Sequence, residues 1–338
     1  MNSIFIVTPG TPKMNPNLDL LRAVAVLFVL FSHLYRVVDG DTTDLLYQFG
    51  QLGVMLFFVH TSLVLMQSME RQQLEGAELF KRFYVQRIFR IYPLSIVFVL
   101  VLLAFSGEHW TPLEIFSNLA LTQNLTYSRA VNNVMWSLPL EVQMYVALPF
   151  LYLLFRRRPV SWLLGLWLLS IPLAFVPYQL SMRLTVLLFA PCFLGGVIAW
   201  RLQGRERLPG WLWPVLLAAC SLAFVHWADP RKDMYGRWLV CLALGLIIPW
   251  MKALRAPRLN LASKTIAKYS YGIYLFHYPL LDLAFKTLSH QPPLLQWMVF
   301  LGLLVLLPVV GYHLIEHPMV RLGHAWHQRR TVAKVAAA

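Results

Sequence analysis

Apolar residues in this chain come in unbroken runs of about 18–20, the length of helix that crosses a hydrocarbon core of roughly 30 Å. The runs are divided by charged or Pro/Gly punctuation and lack the spacing of a one-sided helix. Of the 338 residues, 58% are hydrophobic and only 13% charged, against about a half and a quarter in soluble domains. A soluble fold cannot hide that much apolar surface, so the sequence predicts an all-α, polytopic integral membrane protein. About ten spans are expected, at 17–38, 47–68, 91–106, 138–155, 160–176, 184–200, 210–227, 237–251, 267–288 and 294–315. The stretch 112–126 is apolar enough to lie in the interface yet carries Glu114, Asn118, Gln123 and Asn124, which leaves nine or eleven spans open. Residues 1–14 and 323–338 read as tails, and 15–322 as one transmembrane domain.

A net charge of +14 suggests an anionic partner such as nucleic acid, but in a membrane protein it reflects basic residues held in cytoplasmic loops. With the N-terminus inside, 21 Lys and Arg fall in inside segments and 7 in outside ones, which predicts both termini in the cytoplasm and no role for nucleic acid. Cys192, Cys220 and Cys241 lie in or beside apolar runs and read as packing residues. The first span is longer than a signal-peptide core, contains Arg22 and lacks a small-residue cleavage site, so it is expected to be retained.

An ionisable residue inside a span is costly and marks a candidate site. Four clusters qualify. On span one, Arg22 and His33 are 11 residues apart and share a helix face about 16 Å apart along the axis. Their plain alternative is interhelical hydrogen bonding, with Asp19 beside Arg22 at the cytoplasmic end. In WSLPLEVQMY, Ser137, Glu141 and Tyr145 fall at i, i+4 spacing, next to Trp136, which alone would be an interfacial belt residue. In SYGIYLFHYPL, Ser270, Tyr274 and His277 share a face, where aromatic packing is the alternative. In KRFYVQRIFRIYP, Lys81, Arg82, Arg87 and Arg90 gather in what reads as a short amphipathic stretch before a short third span; they either anchor it or grip phosphate, which guanidinium groups match bidentately. His313, Glu316 and His317 spell H-x-x-E-H, but with no third ligand at hand the sequence predicts no metal.

Taken in order from about Asn15 to Leu322, these clusters resemble the acyltransferase-3 family of bacterial integral-membrane O-acyltransferases. The resemblance is carried by Arg22 and His33 as R-x10-H, by GQLGVMLFFVHTSLVL, KRFYVQRIFRIYP, WSLPLEVQMY and SYGIYLFHYPL, and by the closing YHLIEHPM. It departs after the first loop: the family reads closer to FFVLSGFL, whereas here His60, Thr61 and Ser62 stand near that position and Leu63 takes the place of the usual glycine. Some members carry an extracytoplasmic esterase-like domain. None is read in this sequence, so the acceptor is expected to meet the membrane domain or a separate periplasmic partner.

The resemblance implies transfer of an acyl group, most often acetyl from acetyl-CoA as co-substrate, to a hydroxyl of a carbohydrate or lipid-linked glycan at the bacterial inner membrane. Such chemistry needs cations for the CoA phosphates, a base for the hydroxyl and a donor for the developing oxyanion. Arg82, Arg87 and Arg90 are then the phosphate candidates, His33 with Glu141 the base and its partner, expected at similar depth in the outer half of the membrane. Arg22, Ser137, Trp136, Tyr274 and His277 are candidates for charge stabilisation or substrate contact. Two other readings stay open: a transporter or flippase using the same buried charges, and an accessory subunit without chemistry.

The basic asymmetry predicts that Arg71→Cys is labelled by an impermeant thiol reagent from the cytoplasmic side only. Labelling from outside alone would overturn the orientation.

Overall fold

The structure, a computed structural model, describes residues 15–40, 44–227 and 234–336. The polar tail 1–14, and residues 228–233 of the segment expected outside, lie beyond them. Among the described residues the chain is a bundle of helices, with a single backbone bridge between Leu208 and Met251 as its only extended pairing.

Each expected span is a helix, and several are longer than expected. Asn15 caps α1 (Pro16–Val38): its side chain accepts from the Asn17 amide at 3.0 Å, while proline in the first turn gives up an amide that has no helical partner. Next come α2 (Asp44–Gln72) and α3 (Gly76–Phe105). The third span is therefore not short. The arginine-rich stretch is the lower half of one 30-residue helix, about 45 Å long.

The stretch 112–126 does not span. It forms α4 (Pro112–Ala120) and the single turn α5 (Gln123–Thr126). Thr111 and Glu114 cap α4 reciprocally, and the hydrogen bonds from Thr111, reinforced by Arg129, hold the Glu114 carboxyl below its ordinary range. A 3₁₀ turn (Asn133–Trp136) leads into α6 (Ser137–Phe155), followed by α7 (Val160–Leu173), the short α8 (Val176–Gln179), α9 (Val186–Arg201), α10 (Leu212–Trp227) and α11 (Tyr235–Ile247).

α12 (Pro257–Leu281) begins ten residues before its expected start and passes through a π turn (Asp282–Thr287). α13 (Pro293–Gly311) runs through a second π turn (Tyr312–Glu316) into α14 (His317–Ala336), so helix continues past residue 322. Among the described residues seven helices are long and apolar enough to cross a membrane; α10 and α11 are apolar but shorter. α12 has the length, but its tyrosine, serine and histidine content sets it apart.

One end of the bundle is basic and tied together. Arg156 pairs with Glu75 at 2.7 Å, Arg201 donates to the Arg158 carbonyl at 2.7 Å, and Asn17 binds the backbone of Lys252 and Leu254. The centre is built from α1, α2, α9 and α12. Where α2 crosses α9 the backbones nearly touch. A methyl group added at Gly196 would overlap the Ser62 hydroxyl and the Val59 carbonyl, and would lie 2.9 Å from the Leu63 nitrogen. The Ser62 hydroxyl itself is 2.7 Å from the carbonyls of Phe58 and Phe193. The close approach lost with the usual glycine on α2 is supplied by the partner helix, as small residues do in membrane bundles.

Gly196→Leu should therefore cost at least the roughly 1–3 kcal/mol typical of overpacking, read as a lower melting temperature of the purified protein. Gly165→Leu, at a glycine with open space around it, is the control expected to leave it unchanged.

Candidate functional site

Polar side chains from five helices meet around a cavity of about 90 Å³ in the middle of the bundle. Arg22 of α1, Arg87 and Arg90 of α3, and Glu141 of α6 give it its charge. Counted from the basic end at about 1.5 Å per residue, Thr61 and Arg87 each stand about 17 Å up their helices, Ser270 about 20 Å and Glu141 about 21 Å. The cavity is thus one level of the bundle.

The helical periods explain its membership. Ser137, Glu141 and Tyr145 face it at i, i+4 spacing, and Arg87 and Arg90 at i, i+3. Arg82, five residues before Arg87, is turned by about 140° at 3.6 residues per turn and does not line the cavity. Of the three expected phosphate ligands, two are brought together. Arg22 joins them instead: its Nε donates to Ser270 Oγ at 2.6 Å rather than serving as a surface partner of Asp19.

The carboxylates hold this charge in place. Arg90 pairs with Glu316 of the second π turn, a residue only 1% exposed, which commits the central residue of H-x-x-E-H to an arginine. Glu141 accepts from the Tyr145 hydroxyl and from Thr61 Oγ1 at 3.2 Å. Tyr274 OH lies 2.6 Å from the Val134 carbonyl and 2.6 Å from Ser137 Oγ. A phenol has one proton and a carbonyl only accepts, so Tyr274 donates to Val134 and accepts from Ser137. Trp136 is outside the cavity, packed against Phe189 with ring centroids 5.5 Å apart.

The expected contact between His33 and Glu141 is not made. Similar depths for the two require α6 to start at the outer boundary, but the 3₁₀ turn before it is folded inward: Val134 and Met135 are buried, and Tyr274 binds the Val134 carbonyl. Glu141 therefore sits at the level of Arg87 and Ser270. His33 stands 11 residues beyond Arg22 and His277 seven beyond Ser270, about 16 and 10 Å further along their helices. The shared faces hold, and the heights separate the groups into two sites.

At the upper level the partner of His33 is His277, with Nδ1 of the first 2.9 Å from Nε2 of the second and the ring planes 15° apart. His277 Nδ1 lies 2.8 Å from the Tyr274 carbonyl and 3.1 Å from that of Ile273. Carbonyls only accept, so His277 carries its proton on Nδ1, and in the neutral ring Nε2 is bare. The proton between the rings then belongs to His33 Nδ1, which leaves the lone pair of His33 on Nε2. Tyr274 joins the two levels, lining the cavity with its ring 6.0 Å from that of His277.

Two lining residues, His60 and Thr61, were read in the sequence only as part of a departure from the family pattern. His60 is 5% exposed, and its Nδ1 has no hydrogen-bond partner among the described residues.

Residues 15–313 match the family model described as an acyltransferase domain. Among curated relatives, "Putative acetyltransferase ORF330" of Acidianus two-tailed virus is 27% identical, over 78% of this chain and 82% of that protein. "Putative peptidoglycan O-acetyltransferase YrhL" of Bacillus subtilis (strain 168) is 26% identical over 93% of this chain. Peptidoglycan O-acetyltransferase OatA of Listeria monocytogenes serovar 1/2a is 24% identical over 92%. The matches to these two bacterial proteins cover 56% of the length of each. No solved structure matches the chain.

Removing one partner of a buried ion pair strands the other, at about 3–5 kcal/mol, whereas replacing both by apolar groups is often neutral. Glu316→Gln should thus lower the melting temperature of the purified protein sharply, and Arg90→Met with Glu316→Leu should recover most of the loss. Equal melting of Glu316→Gln and the unaltered chain would remove the pair from the account of the fold.

Proposed function

The chain belongs to the acyltransferase-3 family, and on that premise we propose that it transfers acetyl from cytoplasmic acetyl-CoA to a hydroxyl of an extracytoplasmic or lipid-linked carbohydrate. The membrane is the bacterial inner membrane, with both termini in the cytoplasm. The names of the two bacterial relatives support a glycan acceptor, and the excess of basic residues at one end of the bundle supports the orientation.

The observation that carries the reading is the histidine pair. Held by His277, His33 keeps Nε2 bare and turned away from the inter-ring hydrogen bond. The acceptor hydroxyl gives its proton to this nitrogen as its oxygen forms a bond to the thioester carbonyl carbon. The C–S bond then breaks, and the proton passes to the departing CoA thiolate. The imidazolium formed in between donates from Nδ1 to His277, which serves the orienting role that Glu141 was expected to fill.

The arginine cavity lies on the cytoplasmic side of this base. Arg22, Arg87 and Arg90 hold the donor's phosphates, and its extended arm follows Ser270 and Tyr274 toward His33. Glu141, fixed by Tyr145 and Thr61, balances the guanidinium charge and is a positioning residue.

Purified protein in lipid nanodiscs should consume acetyl-CoA when glycan is supplied. His33→Ala and His277→Ala should each lower kcat by roughly 10²–10⁴-fold, and the double variant should be little worse than either, since the pair acts as one unit. Arg87→Lys should raise the KM for acetyl-CoA while the protein inserts normally, because a point charge loses the bidentate fork. Near-normal turnover in His33→Ala would sink the base assignment. Glycan movement without acetyl-CoA consumption would favour a transporter.

A further inference from the structure

Most polar groups around the cavity are already committed to one another. Ser137 is bound to Tyr274, Ser270 to Arg22, and both Tyr145 and Thr61 to Glu141. Two nitrogens are not: His60 Nδ1 and Arg87 Nε are buried, without a partner among the described residues, on side chains that line the same space. A buried donor or acceptor left unmade costs about 1–3 kcal/mol, so two of them on side chains that line one cavity point to an occupant that completes them.

Charge says what kind of occupant. Arg22, Arg87 and Arg90 face Glu141 and the Glu316 that pairs with Arg90, so one positive charge is left over and the cavity favours an anion. His60, on α2, lines the same cavity as Arg22 of α1 and Arg87 and Arg90 of α3. Its position is where this chain departs from the pattern FFVLSGFL, so the contact is a property of this sequence and not of the shared motifs.

We propose that His60 binds a phosphate of the acyl donor, its Nδ1–H donating to a phosphate oxygen held on the far side by Arg87. The inference rests on the acyl-CoA reading above and adds to it a specific ligand contact that arginine alone does not provide. Imidazole supplies a directed hydrogen bond without adding a fourth fixed charge to the cavity. It acts on donor binding and leaves the chemical step to His33.

The test uses the full chain in nanodiscs and measures binding of CoA, and turnover of acetyl-CoA and of S-acetylpantetheine, a donor without phosphates. His60→Leu should weaken CoA binding about tenfold and raise the KM for acetyl-CoA equally, with kcat at saturating donor unchanged. Its turnover of S-acetylpantetheine should equal that of the unaltered chain. His60→Gln, whose amide N–H can still reach the phosphate, should stay within about threefold. Unchanged CoA binding in His60→Leu overturns the proposal, as does an equal loss with the donor that lacks phosphates. If His60→Leu melts early or aggregates, the unaltered chain decides. Labelled with ¹⁵N-histidine, it should show the His60 Nδ1 resonance, assigned by its loss in His60→Gln, moving when CoA is added. A resonance that stays put overturns the contact. Failure of the unaltered chain to bind CoA at all sinks the acyl-CoA reading itself, which separates that outcome from failure of His60 alone.

Discussion

Three guanidinium groups held inside a bundle of apolar helices set the terms for everything around them. A cation in such an interior is tolerated when it is paired or hydrogen-bonded. Two of the arginines accordingly draw in a specific element. Arg90 fixes the π turn before α14 through Glu316, and Arg22 fixes α1 to α12 through Ser270. Glu141, the other carboxylate at the cavity, arrives on α6 because the turn before that helix folds inward. Two discontinuities in the bundle, the second π turn and the 3₁₀ turn before α6, serve this level. Irregular backbone at membrane depth is viable where protein surrounds it, and here it delivers the two counter-charges.

The arrangement separates two tasks along one axis. Charge is concentrated in the cavity, at about 17–21 Å from the basic end, and the histidine pair stands further along, with His33 about 26 Å up α1 and His277 about 30 Å up α12. Residues on one face of α12 run continuously between them: Ser270 at the arginine, Tyr274 between, His277 beside His33. A ligand with an anionic end and an uncharged arm fits that layout, and a compact polar solute has less reason for it. The division also accounts for the roles of the acidic and basic groups. Glu141 belongs with the arginines, and an imidazole, not a carboxylate, orients His33.

Much of this was legible in the sequence. Long apolar runs gave the helices, and helical periods gave the faces: Ser137, Glu141 and Tyr145 do point together, as do Ser270 and Tyr274, and Arg22 and His33 do lie on the side of α1 that meets α12. Three things were not legible. The extent of α3 was hidden because its lower half carries basic residues that read as an interfacial segment, though two of them, Arg87 and Arg90, line a cavity within a 30-residue helix. The level of Glu141 was missed because composition cannot show that the chain turns back into the bundle before a helix starts. The place of His60 in the cavity was missed because, without a second polar residue at helical spacing to join it to a cluster, its position could only be read against the family pattern.

The sequence by itself determined which segments are helical, that they belong in a membrane, which residues share a face, and the family to which the chain belongs. The first three depend on local periodicity and on transfer energetics, both of which act residue by residue, whereas the family is carried by the order of the motifs along the chain. Only the tertiary structure decided which faces meet and at what height, and so whether His33 answers to Glu141 or to His277. A face is fixed by 3.6 residues per turn, but height is fixed by where each helix begins relative to its neighbours. That depends on long-range contacts, such as Asn17 on the Lys252 carbonyl and Tyr274 on the Val134 carbonyl, that no local pattern encodes.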